Sequence, residues 1–181
     1  MPQKLIIDGY NLLGASGPIQ AAMEQERTHL IHKLGRYAKR KHHQLLVVFD
    51  GWKSGNPVEE RQNISGITVI FSKLGERADQ VIQRLCVEYG TQAVVVSSDR
   101  EIIDYAQSQG NFAIRAQEFE HLLHETLTDK ALHPHSEKTE PSDAIDEIDH
   151  YRDGQQAGKK KGNPRKLSKK ERLRKRRLQQ F

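Results

Sequence analysis

Four aspartates draw attention by where they fall: Asp8, Asp50, Asp79 and Asp99. Asp8 closes the aliphatic run of "KLIIDGYNLL", Asp50 closes "LLVVFD", and Asp99 ends "AVVVSSD". Asp79 lies in "GERADQVIQRL", three residues beyond Glu76. Carboxylates confined together raise one another's pKa unless cations occupy the site. An oxygen-only set of this kind suits Mg²⁺ or Mn²⁺, and sites built from two such ions hydrolyse phosphodiesters by in-line displacement. Each acid also has a plainer reading. Asp before Gly is a turn former, and an Asp in the first turn of a helix complements the macrodipole. The cluster is favoured because four unrelated turn acids need not share one edge of a fold.

Whether they share an edge depends on the elements that carry them. Five short β-branched runs, at about 4–8, 45–50, 67–71, 93–97 and 112–115, read as buried strands. "LLVVFD" and "AVVVSSD" are apolar without alternation, as parallel strands covered on both faces are. Helical spacing occupies 20–41, 78–89 and 117–127. "SDREIIDYAQSQG" adds a helix with a capping box from Ser98 to Glu101 and a stop at Gly110. The class is α/β: a three-layer fold with a central, mainly parallel sheet of about five strands flanked by helices. In such a sheet the strand C-termini line one edge, where ligands bind. Gly9 is expected to make the turn after the first strand.

Charge divides the 181 residues into three regimes. Residues 1–128, the expected folded domain, hold 14 basic and 15 acidic residues, so the body is nearly neutral. Residues 129–158, with 3 basic and 8 acidic residues broken by Pro and Gly, read as an acidic flexible linker. Residues 159–181 set 12 basic residues against the single Glu171 and read as a basic tail, helical from a capping box of Ser168 and Glu171. The basic pI therefore belongs to the tail.

The four segments LIIDGYNLL, VVFDG, GERADQVIQRL and VVVSSDREI, in that order, resemble the YacP-like NYN domains, PIN-like ribonucleases of bacteria. The resemblance spans roughly residues 3 to 127. It implies a PIN-like fold and metal-dependent endonucleolytic cleavage of single-stranded RNA. It also implies mRNA as substrate, in association with the ribosome. Matched position by position, Asp8, Asp79 and Asp99 are the expected Mg²⁺ or Mn²⁺ ligands. Asn11 is the amide that positions Asp8 or a water, and Asp50 is a supporting acid. Ser98 is a small hydroxyl beside the site. The implied chemistry is in-line attack of a metal-activated water, leaving 5′-phosphate and 3′-hydroxyl ends, with no protein nucleophile.

Several basic groups are candidates for RNA contact. Arg36, Lys39 and Arg40 in "RYAKRKHH" are one set, for which a solvated helix terminus is the equal alternative. Trp52 and Lys53, beyond the second strand, are placed to stack on a base and touch a phosphate; packing of Trp52 on the body is as good a reading. Arg100 follows Asp99 and is a candidate for the scissile phosphate, or for pairing with a nearby acid. In the tail, Lys169, Lys170, Arg172, Arg174, Lys175, Arg176 and Arg177 favour structured RNA, including ribosomal RNA. The tail lacks an apolar face of useful width for a membrane.

Other classes fit less well. No run approaches a membrane span, no signal-peptide pattern opens the chain, and the lone Cys86 suits a reducing, cytoplasmic setting. His29 with His32, and His121 with His124, have i, i+3 spacing without the context of a zinc site. A haloacid-dehalogenase-type phosphatase wants Asp-x-Asp after its first strand, where this chain has Tyr10. A non-catalytic RNA- or ribosome-binding factor of the same fold is the main alternative to the enzyme.

Overall fold

The computed structural model describes residues 3–16, 23–51, 56–132, 169–178 and 180–181. Trp52, Lys53 and Ser168, and all of the expected linker beyond residue 132, lie outside the described residues. Two compact units are distinguished, Met1–Pro134 and His135–Phe181.

The first unit runs β1 (Lys4–Asp8), α1 (Gly9–Ser16), α2 (Met23–Lys41), β2 (Gln44–Phe49), β3 (Glu60–Ile64), β4 (Ile67–Phe71) and α3 (Ala78–Tyr89). It continues through β5 (Ala93–Val96), α4 (Arg100–Ser108), β6 (Phe112–Ile114) and α5 (Ala116–Leu132). The strands form one sheet in the order β3-β4-β2-β1-β5-β6. All neighbours are parallel except β3 and β4. The expected parallel α/β sheet is therefore present, with one strand more than the sequence pattern indicates.

That extra strand is β3, whose sequence ERQNI is mostly exposed. An edge strand with little apolar content carries no periodic signal, so apolar runs miss it. Its turn is more legible. Ser65 and Gly66 both take positive φ, 55° and 81°, the two-residue hairpin geometry that Ser-Gly between two isoleucines suggests.

Strand alternation divides the core into two faces. Ile6, Leu46, Val48, Ile70 and Val95 pack with Val81, Ile82 and Leu85 of α3 and with Ile102 and Ala106 of α4. The alternate residues of these strands lie on the opposite face, served by α1, α2 and α5, where Tyr37 meets Phe119 edge-on at 5.3 Å. Burying each such aliphatic side chain is worth about 1.5–3 kcal/mol. The middle of the sheet is a fully covered row, Val69–Val47–Ile7–Val96–Ile114. Asp8 falls one step beyond that row and shares the parity of Ile6, hence the side of α3 and α4.

Two local expectations change. Gly9 makes no separate turn: it is the first residue of α1. A Cβ there would come within 2.4 Å of the Phe49 ring, so only glycine lets the chain leave β1 directly into a helix over that ring. The N-cap of α4 is Asp99, whose carboxylate accepts from the Glu101 N–H, and Ser98 takes no part in it. Gly110 follows α4 at φ 80°, as expected of a left-handed stop.

The second unit is described from α6 (Lys169–Leu178) onward. Glu171 sits in its first turn and Lys175, Arg176 and Arg177 in its last, the distribution that the helix dipole favours. From 171 to 178 only Arg174 and Leu178 are half-buried, and the other side chains are exposed.

Candidate active site

Strand order reverses at β1, whose parallel neighbours β2 and β5 are reached in opposite directions along the sheet. This is the switch point at which open α/β sheets form a crevice. Asp8 ends β1 there and is 7% exposed. Its Oδ1 accepts from the Asn11 backbone N–H at 3.1 Å, which caps α1. Its Oδ2 accepts from the Ser97 hydroxyl at 3.2 Å, just past β5. One carboxylate thus joins two adjacent strand ends and the helix between them.

Burial pushes the Asp8 carboxyl up to about 6, against the lowering effect of the Asn11 and Ser97 bonds, and the charges of Asp79 and Asp99 raise it further. Asp79, in the first turn of α3, is also raised: by partial burial, then by Asp99, Asp50 and Glu101, with Arg77 acting in the opposite sense. At this edge of the sheet Asp8 thus feels Asp79 and Asp99, and Asp79 feels Asp99 and Asp50. They are positioned by three helix N-termini and two strand ends, since Asp8 and Asp99 are N-caps and Asp79 is a first-turn acid. Their capping roles and their clustering coexist.

The amide and hydroxyls around them form a lattice that fixes the loops. Asn11 Oδ1 accepts from the Ser98 N–H at 2.9 Å, while its own backbone N–H holds Asp8. The Ser97 hydroxyl also accepts from the Asp99 N–H at 3.1 Å. Ser98 Oγ donates to Gln117 Oε1 at 2.6 Å and accepts from the Ala116 N–H at 3.2 Å, so it ties the β5 loop to α5. Asp50, exposed at the end of β2, lies 3.5 Å from the Ser72 hydroxyl, which donates more closely to the Glu76 carbonyl at 2.7 Å. The Glu76 side chain is buried and pairs with Arg84 at 2.6 Å.

Ser97, Ser72, Arg77 and Glu101 are the residues that sequence reasoning passed over. Ser97 and Ser72 each follow a buried strand, in "VVVSSD" and "VIFSK", and that position was the available signal. Arg77 and Glu101 bear on Asp79 through charge, an effect that no local spacing marks.

Among the described residues, no three His, Cys, Asp or Glu side chains are drawn close enough to hold a metal ion as they stand. The donor set still fits a hard divalent cation in kind: carboxylate oxygens throughout, one acid buried, and like charges acting on it. Of the basic candidates, Arg36, Lys39 and Arg100 are exposed. Arg40 donates to the Thr126 carbonyl at 2.5 Å and so fastens α2 to α5. Tyr37 and His43 of the same basic stretch are buried. His32 Nδ1 is 2.8 Å from the Ser65 hydroxyl, and His121 is 3.4 Å from Glu125. No helix among the described residues is long and apolar enough to cross a membrane.

Comparison with known proteins places this arrangement. The chain is 32% identical over 102 residues to the uncharacterized protein YacP of Bacillus subtilis (strain 168), covering 52% of this chain and 59% of that one. The chain thus spans about three fifths of that relative's length. The crystal structure of Rae1 (YacP) from Bacillus subtilis superposes with a TM-score of 0.58 at 26% identity, over 72% of this chain and 78% of that chain. A mutant form of the same protein gives 0.57 at 27% identity, over 70% and 77%. The fold is accordingly the PIN-like one of those structures. The family model described as "YacP-like NYN domain" matches residues 5–180, well beyond the motif-bearing body and through the basic helix. The chain belongs to the YacP-like NYN domain family.

Proposed function

We propose that the chain is a metal-dependent endoribonuclease that cleaves single-stranded RNA, with mRNA in association with the ribosome as its substrate. One observation carries the reading. A buried aspartate at the switch point, its carboxyl pushed up to about 6, feels the charge of two further aspartates delivered by separate helices. Such an arrangement costs stability and caps helices no better than isolated acids do.

Asp8, Asp79 and Asp99 would hold Mg²⁺ or Mn²⁺, with Asp50 beside them. A divalent cation there supplies Lewis-acid activation of water and neutralises charge building on the phosphoryl oxygens. The chain's own residues do the rest. Ser97 and the Asn11 backbone fix both oxygens of Asp8. Asn11 and Ser98 hold the β1 and β5 loops at one spacing. Arg100, which is exposed, would meet the scissile phosphate. Attack in line leaves 5′-phosphate and 3′-hydroxyl ends. The basic tail, through Lys169, Lys170, Arg172, Arg174, Lys175, Arg176 and Arg177, anchors the enzyme to structured RNA such as ribosomal RNA.

A second reading, a non-catalytic RNA- or ribosome-binding factor, draws on the open spacing of the acids. A single experiment separates the two. Labelled single-stranded RNA is incubated with the full chain and Mn²⁺, with and without ribosomes, beside Asp8→Asn. Cleavage by the wild type that chelator and Asp8→Asn both abolish is the expected result. Equal, metal-independent cleavage by both proteins sinks the mechanism, and absence of cleavage in every condition favours the binding factor.

A further inference from the structure

Beside the acids, on the side of β2 and β4, lies a cavity of about 330 Å³ that the proposed chemistry does not use. Tyr10, Arg27, Asp50, Asn56, Gln62 and Phe71 line it, from six different parts of the chain. Phe49 and Phe71 stack at 5.8 Å with 23° between their planes, and Tyr10 meets Phe49 edge-on at 5.2 Å. The Arg27 guanidinium lies over both phenylalanine rings, 5.2 Å from the centroid of Phe71 and 5.9 Å from that of Phe49. Glu24, at 3.6 Å from Arg27, steadies its outer side.

The opposite rim is polar and fixed. Glu60 accepts from Asn56 Nδ2 at 3.0 Å on one oxygen and from Gln62 Nε2 at 2.5 Å on the other. Both amides are thereby oriented, and each retains a carbonyl oxygen as an acceptor for a ligand. A planar guanidinium and an aromatic face on one side, with oriented amides on the other, match a flat heterocycle whose edge carries donors and acceptors. At about 330 Å³ the cavity is at the small end of ligand sites, roughly 300–1,000 Å³. That size suits a single base.

We propose that this cavity is a base subsite, holding the base of the RNA nucleotide next to the scissile phosphate and setting a preference at that position. Asp50 supplies the adjacency, because it lines the cavity and follows β2 at the sheet edge where Asp8, paired with Val48, ends β1. A base held against Arg27 and Phe71 would direct its phosphate towards the acid edge. Gln62 and Asn56 read the edge of the base, and Arg27 holds its face. The assignment to a substrate base rests on the endoribonuclease reading.

Two measurements on the full chain test it. In the first, cleavage sites are mapped on a random-sequence RNA pool for the wild type, Arg27→Ala and Gln62→Ala. Loss of one stacking or edge contact predicts a bias of at least about fivefold at one position beside the cut, falling below about twofold in Gln62→Ala, and a KM raised at least about fivefold in Arg27→Ala. Bias and KM unchanged in both variants overturn the subsite. In the second, the four nucleoside 5′-monophosphates and ribose 5-phosphate are titrated by NMR, which involves no cleavable diester. Shifts at Arg27, Asn56 and Gln62 that need a base, and that Arg27→Ala weakens at least about fivefold, support the subsite. Equal binding of ribose 5-phosphate overturns it. A chain that cleaves no RNA but binds monophosphates here would sink the nuclease reading and leave the base site standing.

Discussion

The molecule concentrates like charge in two places, and treats it in opposite ways. At the acid edge, Asp8 is buried between two strand ends and its two oxygens are fixed by Asn11 and Ser97. In α6 the charges ride on a helix whose side chains from Glu171 to Arg177 are exposed apart from Arg174. Buried like charges are unfavourable and are held only because a scaffold holds them, so each one matters by its place. Exposed charges are screened and act through their sum. The family match covers both regions, which makes the contrast a property of one design and not of an accidental extension.

The sharpest way to break this contrast is Asp8→Asn. The amide keeps its oxygen for the Asn11 N–H and remains a good N-cap; its NH2 group faces the Ser97 hydroxyl as a donor where the carboxylate accepted, and the charge is removed. Cleavage should fall by about a hundred- to a thousandfold, the range seen when a group that stabilises charge in the transition state is lost. Stability should move the other way. The folded carboxyl titrates near 6 against about 3.8 when unfolded. The favourable state is therefore fully present below pH 4 and is lost as pH rises through 6, at a cost of about 3 kcal/mol at neutral pH. Metal-free Asp8→Asn should thus melt higher than the wild type at pH 7.5 and no higher at pH 4. Calorimetry in chelator at the two pH values checks this, and a variant less stable at pH 7.5 would show that the carboxylate serves only the fold.

A second comparison tests place against charge without touching a charge. Gly9→Ala puts a methyl group where 2.4 Å separates it from the Phe49 ring. Overpacking of this kind costs about 1–3 kcal/mol, and it displaces α1, whose Asn11 N–H holds Asp8. Gly14, in the same helix, has nothing within 4 Å of its would-be Cβ. Gly14→Ala should therefore stabilise by about 0.5–1 kcal/mol through helix propensity. Denaturant melts of the pair should differ in sign, and RNA cleavage should fall several-fold in Gly9→Ala alone. A neutral Gly9→Ala would mean that Phe49 yields and that the glycine carries no positional role.

The same distinction explains what the sequence discloses. The parallel strands are legible because burial on both faces demands unbroken apolar runs, as in "LLVVF" and "AVVV". The acids at their ends are legible because one residue type recurs at equivalent points of successive strand ends. β3 is not, since an edge strand of ERQNI leaves no hydrophobic trace. Nor is the start of α1 at Gly9, which is dictated by the Phe49 ring, a neighbour 40 residues away in sequence and invisible to local spacing. Ser98 looked like a cap by its separation from Glu101, yet the sheet places Ala116 and Gln117 against it and leaves the cap to Asp99. Local rules name the candidates, and tertiary neighbours choose among them.

The smallest expected effect belongs to the tail, where neutralising one charge should change little. Arg176→Gln should lower RNA affinity about twofold at moderate salt and reduce the slope of log K against log salt by about 0.7, the share of one phosphate contact on a single strand. Exchanging Leu173 with Arg176 keeps the sum while moving a charge along the helix, and should leave both quantities unchanged. Removal of residues 159–181 sets the upper bound: affinity should fall steeply and lose most of its dependence on salt. Fluorescence anisotropy across a salt series measures all three. If Arg176→Gln alone costs tenfold, or the exchange is not silent, the tail reads a place as the acid edge does, and charge by sum no longer describes it.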